Sequence, residues 1–191
     1  MTVGGRRLAL FTGRGYNRGA GVGKAAAWVL VGQGLSQQVW LPARARVALL
    51  RAFGAQIADG VLIRHGVRIH WPWKLTVGAD SWIGVGVWIL NLEPVHIGHD
   101  VCISQDAMLC TGSHRAEDPS FEYDNAAIWI DDEAWVAVRA TILRGVRVGA
   151  GAVVGATALV VRDIPPGTRV VAPAAVSADV SARPADPTRQ E

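Results

Sequence analysis

Aliphatic residues return at every sixth position through most of this chain. The clearest run is Ile130, Val136, Ile142, Val148, Val154 and Val160. Upstream the same step joins Ile57, Ile63 and Ile69, then Val77, Ile83 and Ile89, then Ile97, Ile103 and Leu109, with a step of eight between one triplet and the next. A fixed phase of this kind marks a repeat architecture. Its arithmetic predicts coils of three short strands, 18 residues to a turn, with two extra residues falling at the same corner each time. One aliphatic per face then points inward and stacks on its equivalent in the next coil. The residue after each is often small, as at Gly78, Gly84, Gly98, Ser104, Ala137, Gly149 and Gly155, where a bulky side chain would crowd the turn. Alternating β-sandwich strands would not hold this phase. The predicted fold class is therefore an all-β solenoid, a parallel β-helix.

The phase breaks once. Between Leu109 and Ile130 a step of 21 replaces the step of six, so fifteen residues are extruded from a corner within 110–127, "CTGSHRAEDPSFEYDNAA". Polar insertions that interrupt a regular solenoid are where function is carried, and His114 stands at the base of this one. Before the coils, 1–23 is rich in Gly and Arg and reads as a flexible arm, and 24–53 reads as a helical cap. Pro42 suits the first turn of a helix in which Val47, Leu50 and Phe53 share one face. Such a cap covers the apolar side chains and strand edges that an open coil end exposes. The solenoid is read as 54–175, closed by Pro165 and Pro166, and the Ala- and Pro-rich 176–191 as a disordered tail.

The charge balance adds little: 19 Lys and Arg against 16 Asp and Glu give +3, which helps anionic ligands approach but is no nucleic-acid footprint. Cys102 and Cys110 have no metal-binding spacing and read as free thiols in a reducing compartment, which points to the cytoplasm. No stretch approaches the ~20 apolar residues of a spanning helix. Arg44, Arg46 and Arg51 beside Val47, Leu50 and Phe53, with Trp28 and Trp40 nearby, fit weak peripheral contact with the inner membrane surface. The capping role accounts for the same face and is the stronger reading.

With the repeat and the loop established, "VHIGHDVCISQDAMLCTGSH" resembles the segment that leads to the catalytic histidine of the hexapeptide-repeat O-acetyltransferases, which are left-handed parallel β-helices. "AWVAVRATILRGVRVGAGAVVGATALVVRDIPP" resembles their C-terminal coils, which bind acetyl-CoA. "LLRAFGAQIADGVLIRHGVRIHWPWKLTVGADSWIGVGVWILNLEPV" is similar to the colanic-acid type, the branch of exopolysaccharide and capsule clusters. The resemblance spans roughly residues 54–175 and departs from the pattern at Ala58, Asp131, Ala137 and Ala172, where Gly is usual. These departures touch corner geometry and leave His114 in place.

What the resemblance implies is transfer of an acetyl group from acetyl-CoA to a sugar hydroxyl, in a homotrimer with clefts shared between subunits and with no metal. An alcohol is a poor nucleophile at neutral pH, and an imidazole titrates in the range needed to take its proton; His114 is the candidate base. Asn91 and Glu93, in the two-residue corner insertion one coil earlier, resemble the family's acceptor-binding positions. Asp106 lies on the coil leading into the loop and Asp118 and Glu122 lie within it, where each is a candidate to orient the imidazole or bind sugar. Ala137 and Ala156 match backbone contacts to the pantetheine arm, and Arg162 matches a phosphate contact, with Arg139 and Arg144 as further candidates. The acceptor, small or lipid-linked, is not set by these motifs, and an amino-sugar N-acetyltransferase or serine acetyltransferase stays open. So, more remotely, do a zinc carbonic anhydrase-like enzyme using His65 and His70, and a non-catalytic β-helix scaffold. His65, His70, His96 and His99 are otherwise expected to be mostly structural.

Overall fold

The computed structural model describes residues 5–174, and the tail read as 176–191 lies outside them. Sixteen short strands wind into a three-faced parallel solenoid. The first face carries β1 (Gln56–Ile57), β4 (Leu75–Val77), β7 (Val95–Ile97), β10 (Ile128–Ile130) and β13 (Arg147–Val148). The second carries β2 (Leu62–Ile63), β5 (Trp82–Ile83), β8 (Cys102–Ile103), β11 (Trp135–Val136), β14 (Val153–Val154) and β16 (Arg169–Val170). The third carries β3 (Arg68–Ile69), β6 (Trp88–Leu90), β9 (Met108–Cys110), β12 (Thr141–Leu143) and β15 (Leu159–Val160).

The register follows the six-residue phase residue by residue. On the first face Ile57 pairs with Val77, Val77 with Ile97, Ile97 with Ile130 across the loop, and Ile130 with Val148. All are buried. A second inward column sits two residues before the first, as period-two strands require: Val67, Val87, Ala107, Ala140 and Ala158 ahead of the third face, and Leu75, Val95, Ile128 and Val146 ahead of the first. Two corners turn on a left-handed residue in every coil. Gly66, Gly86, Asp106, Arg139 and Thr157 hold the corner between the second and third faces, all with φ between 56 and 73°. The corner between the third and first faces takes every insertion: the pairs of extra residues within 70–74 and 90–94, and the fifteen within 110–127. The chain thus concentrates its irregular, polar segments along one edge of the prism.

The N-terminal helices close the first coil. The helix α1 (Val22–Ala27) runs through a π-helical turn (Trp28–Gly32) into α2 (Gln33–Ser36), and α3 (Ala43–Ala52) follows Pro42. Ala25, Trp28, Gly32 and Ser36 face the solenoid and are buried, and Trp28 Nε1–H donates to the His70 carbonyl at 2.9 Å. A Cβ at Gly32 would meet the Trp28 ring at 2.3 Å, so this contact requires glycine. On α3, Val47 and Leu50 are buried as the spacing predicts. Arg46 joins them, its guanidinium donating to the carbonyls of Ser36, Ile63, Gln38 and Leu41 at 2.5–3.0 Å. Four carbonyl dipoles are what make a buried cation tolerable here, and they pin α3 to the first coil.

Candidate active site

The extruded loop folds back on itself as a narrow hairpin. His114 and Tyr123 form an antiparallel bridge, flanked by Arg115 N–H to the Glu122 carbonyl at 2.9 Å and Asp124 N–H to the Ser113 carbonyl at 2.8 Å. The hairpin sets the half-buried His114 ring parallel to the Phe121 ring, with centres 4.3 Å apart, and against Tyr123 at 5.1 Å. Phe121 has φ of 54°, and its carbonyl oxygen lies 2.7 Å from His114 Nδ1. A carbonyl can only accept, so Nδ1 must carry the ring proton and Nε2 is left with a free lone pair. Imidazole in that tautomer is ready to act as a base through Nε2.

Residues 5–21, where composition points to a flexible arm, lie along this hairpin. The Arg7 N–H donates to the Pro119 carbonyl at 2.8 Å, and the Thr12 N–H and hydroxyl both donate to Glu122 Oε1, at 2.8 and 2.7 Å. Those bonds hold the Glu122 carboxyl below the usual carboxylate range. Phe11 packs edge-on to His114 and Tyr123. Tyr16 packs on Tyr123 and accepts a hydrogen bond from Trp71 Nε1 at 2.5 Å. Burial pushes the Tyr16 phenol up, and the Trp71 hydrogen bond acts against that rise. Lys74 donates to the carbonyls of Asn17 and Leu92 and stands 3.7 Å from Glu93. Burial lowers its pKa, and Glu93 opposes the effect. A short polypeptide arm with Gly at its left-handed turns, at Gly13, Gly15 and Gly19, therefore lays Phe11 and Tyr16 against the aromatic rings of the hairpin.

The expected site residues divide by corner. Glu93 stands at the same corner as His114, tied to the loop through its own N–H, which donates to Thr111 Oγ1 at 2.9 Å. Asn91 stands there too, but fully buried: its Oδ1 accepts from the Trp71 N–H at 2.9 Å and its Nδ2 donates to the Trp71 carbonyl at 2.6 Å. Its amide is committed to holding Trp71, not to a ligand. Asp106 belongs to the preceding corner, where it takes the left-handed position and faces Arg139 at 3.9 Å; one strand separates it from the loop. Asp118 caps its own turn through Ser120 N–H and hydroxyl. The group that orients His114 is a backbone carbonyl, which no sequence pattern displays. Ala137 and Ala156 sit on successive coils at the corner of Arg139 and Thr157, and Arg162 is exposed one face away, after β15. Thr157 and Arg162 both line an open cavity of about 530 Å³ on the last coil.

Sequence reasoning missed Asn125. Its Oδ1 accepts from the Ser113 N–H at 3.0 Å, next to His114, while its buried Nδ2 has no partner among the described residues. It also missed the arm, whose Thr12, Phe11 and Tyr16 carry no repeat signal. Elsewhere, His99 spans Asp100 and Asp132, at 2.8 and 3.2 Å, on the coils before and after the loop. No group of three His, Cys, Asp or Glu among the described residues is placed to hold a metal ion.

Known proteins share this architecture. Over 122 residues, 64% of the chain, it is 41% identical to a protein of Escherichia coli K12 named as a colanic acid biosynthesis acetyltransferase, WcaF, of which that stretch covers 67%. A Schizosaccharomyces pombe protein named as an acetyltransferase is 34% identical over 120 residues, 61% of the chain and 55% of its own length. A hexapeptide-repeat acetyltransferase of Vibrio cholerae superposes with a TM-score of 0.71 at 26% identity, over 80% of the chain and 89% of its own. A galactoside acetyltransferase solved with coenzyme A gives 0.70 at 19% identity, over 78% and 76%. No family profile matches the chain.

Proposed function

The chain belongs to the hexapeptide-repeat acetyltransferases, and we propose that it transfers the acetyl group of acetyl-CoA to a hydroxyl of a sugar in exopolysaccharide or capsule biosynthesis, with His114 as general base. The observation that carries this reading is the Nδ1–H contact to the Phe121 carbonyl, which leaves Nε2 as the basic atom of a ring held among Phe11, Phe121 and Tyr123. Nε2 takes the hydroxyl proton as the sugar oxygen attacks the thioester carbon. The C–S bond then breaks, and the imidazolium returns its proton to the leaving thiolate. The oxyanion formed between these steps needs a hydrogen-bond donor. Flat aromatic rings at Tyr16 and Tyr123 suit the faces of a sugar ring, and Glu93 supplies a polar group at the same corner.

The thioester substrate is assigned to the C-terminal coils, with backbone at Ala137 and Ala156 along its pantetheine arm and Arg162 toward a phosphate. WcaF supports the choice of a polysaccharide precursor as acceptor, because its name assigns it to colanic acid biosynthesis. The family resemblance supports a homotrimer, and the two free thiols support a cytoplasmic location. Among the described residues no helix is long and apolar enough to cross a membrane. The test is thiol release from acetyl-CoA against a panel of sugars, amino sugars and serine, with mass spectrometry of the product. Ester formation on a sugar is the expected result, and amide formation only, or no turnover with any sugar, would overturn the reading.

A further inference from the structure

We propose that α1 and the loop after α2 form a docking surface for an anionic lipid bilayer. The N-terminal cap leaves one side of α1 uncovered. A helix that is apolar on all sides is ordinarily buried on all sides. The helix α1 with its π-helical turn is apolar on two sides, yet only Ala25, Trp28 and Gly32 are covered. On the other side Val22, Val29 and Leu30 follow at i, i+7 and i+8 and are 77%, 53% and 80% exposed. Val39 and Trp40, in the loop that leads to α3, are exposed as well. Arg18, Val22, Val29, Leu30 and Trp71 border an open apolar groove of about 360 Å³.

Charge decides what this surface fits. Residues 1–58 hold eight of the 19 Lys and Arg and none of the 16 Asp and Glu, so the rest of the chain is net acidic. Aliphatic and Trp side chains interspersed with cations and free of carboxylates are the composition of a segment that lies in a headgroup layer. A second copy docking through the same surface would bring like charges together, whereas an anionic bilayer neutralises them. The face of α3 that the sequence offered for membrane contact does not serve: Val47 and Leu50 are buried, and Arg46 is spent on four carbonyls. The contact moves to α1, with Arg18 beside its groove and Lys24 on the helix itself as the nearby cations. This inference does not depend on the acyl-transfer reading, and its test uses no activity.

The experiment is flotation of the full-length protein with phosphatidylglycerol–phosphatidylcholine vesicles, at low and high salt, against pure phosphatidylcholine. Binding to the anionic vesicles at low salt, weakened about tenfold or more by salt or by removal of the anionic lipid, is expected. The double variant Val29→Asp with Leu30→Asp should lose about tenfold or more in binding with its circular dichroism unchanged, because both side chains already face solvent. Arg18→Gln with Lys24→Gln should weaken binding and flatten its salt dependence. No flotation of the wild type at low salt would overturn the proposal, as would equal flotation of the Asp variant. A wild type that ignores vesicles and a variant that falls to a smaller oligomer would show instead that copies of this chain meet here.

Discussion

His114 Nδ1 and the Phe121 carbonyl oxygen stand 2.7 Å apart, seven residues from each other in the chain and stacked ring on ring. The contact fixes which nitrogen is basic. Nitrogen-15 NMR at neutral pH should therefore show the neutral His114 ring protonated at Nδ1, with an unprotonated Nε2. Detection of the Nε2–H tautomer would contradict the arrangement, because Nδ1 would then face the carbonyl with no proton to share.

Thr12 holds the far side of the same hairpin through Glu122. Replacing Thr12→Val removes the hydroxyl bond and should lower kcat/KM several-fold while leaving the solenoid's thermal midpoint nearly unchanged. The carboxylate bond also has a pH signature. The Glu122 pKa is depressed by the Thr12 hydroxyl and N–H, so its contribution to arm docking is present above the unfolded value, near 4.5, and is lost as pH falls through the lower folded value. Proteolysis within residues 5–21 should accelerate below that point, and a pH-independent cleavage rate would count against the clamp.

Asn91 is a test of support against recognition. Asn91→Ala strands the buried Trp71 N–H and carbonyl, each worth roughly 1–3 kcal/mol when unsatisfied. The expected outcome is a stability loss of that order by urea unfolding, accompanied by reduced activity. A fully stable variant with only a raised acceptor KM would instead restore Asn91 to a direct acceptor contact.

His99 gives a stability effect of opposite pH sense. Its hydrogen bond to Asp100, then the charges of Asp132, Asp100 and Glu133, raise its pKa above 6.5. The stabilisation is fully present below the unfolded value and is lost as pH rises through the higher folded one. The difference in thermal midpoint between wild type and His99→Ala should be largest near pH 6 and shrink toward pH 9. A gap that is flat across that range would refute the ion-pair role.

Much of the fold was written in the aliphatic phase. Each residue of the series from Ile57 to Val160 is inward and stacked on its predicted neighbour, because a coil of constant geometry maps sequence step directly onto space. The same arithmetic placed Glu93 at the corner of His114. Asp106 is near the loop in sequence but stands at the preceding corner, because six residues carry the chain from one corner to the next, so nearness along the chain is separation in space. Asn91 was legible as a polar corner residue but not as a buried one, since burial there depends on Trp71 folding back over it. The hairpin and the arm escaped periodicity altogether. Neither the Phe121 carbonyl nor the docking of Thr12 on Glu122, 110 residues away, is encoded in any spacing.

Single-turnover and steady-state acetyl transfer by His114→Ala, measured with acetyl-CoA and a sugar acceptor and paired with calorimetric binding of coenzyme A, bears most directly on the role of His114. Turnover should fall by roughly 10²–10⁴-fold, the range of a general-base contribution, while coenzyme A affinity stays near wild type. Turnover close to wild type would contradict the assignment of His114 as the base.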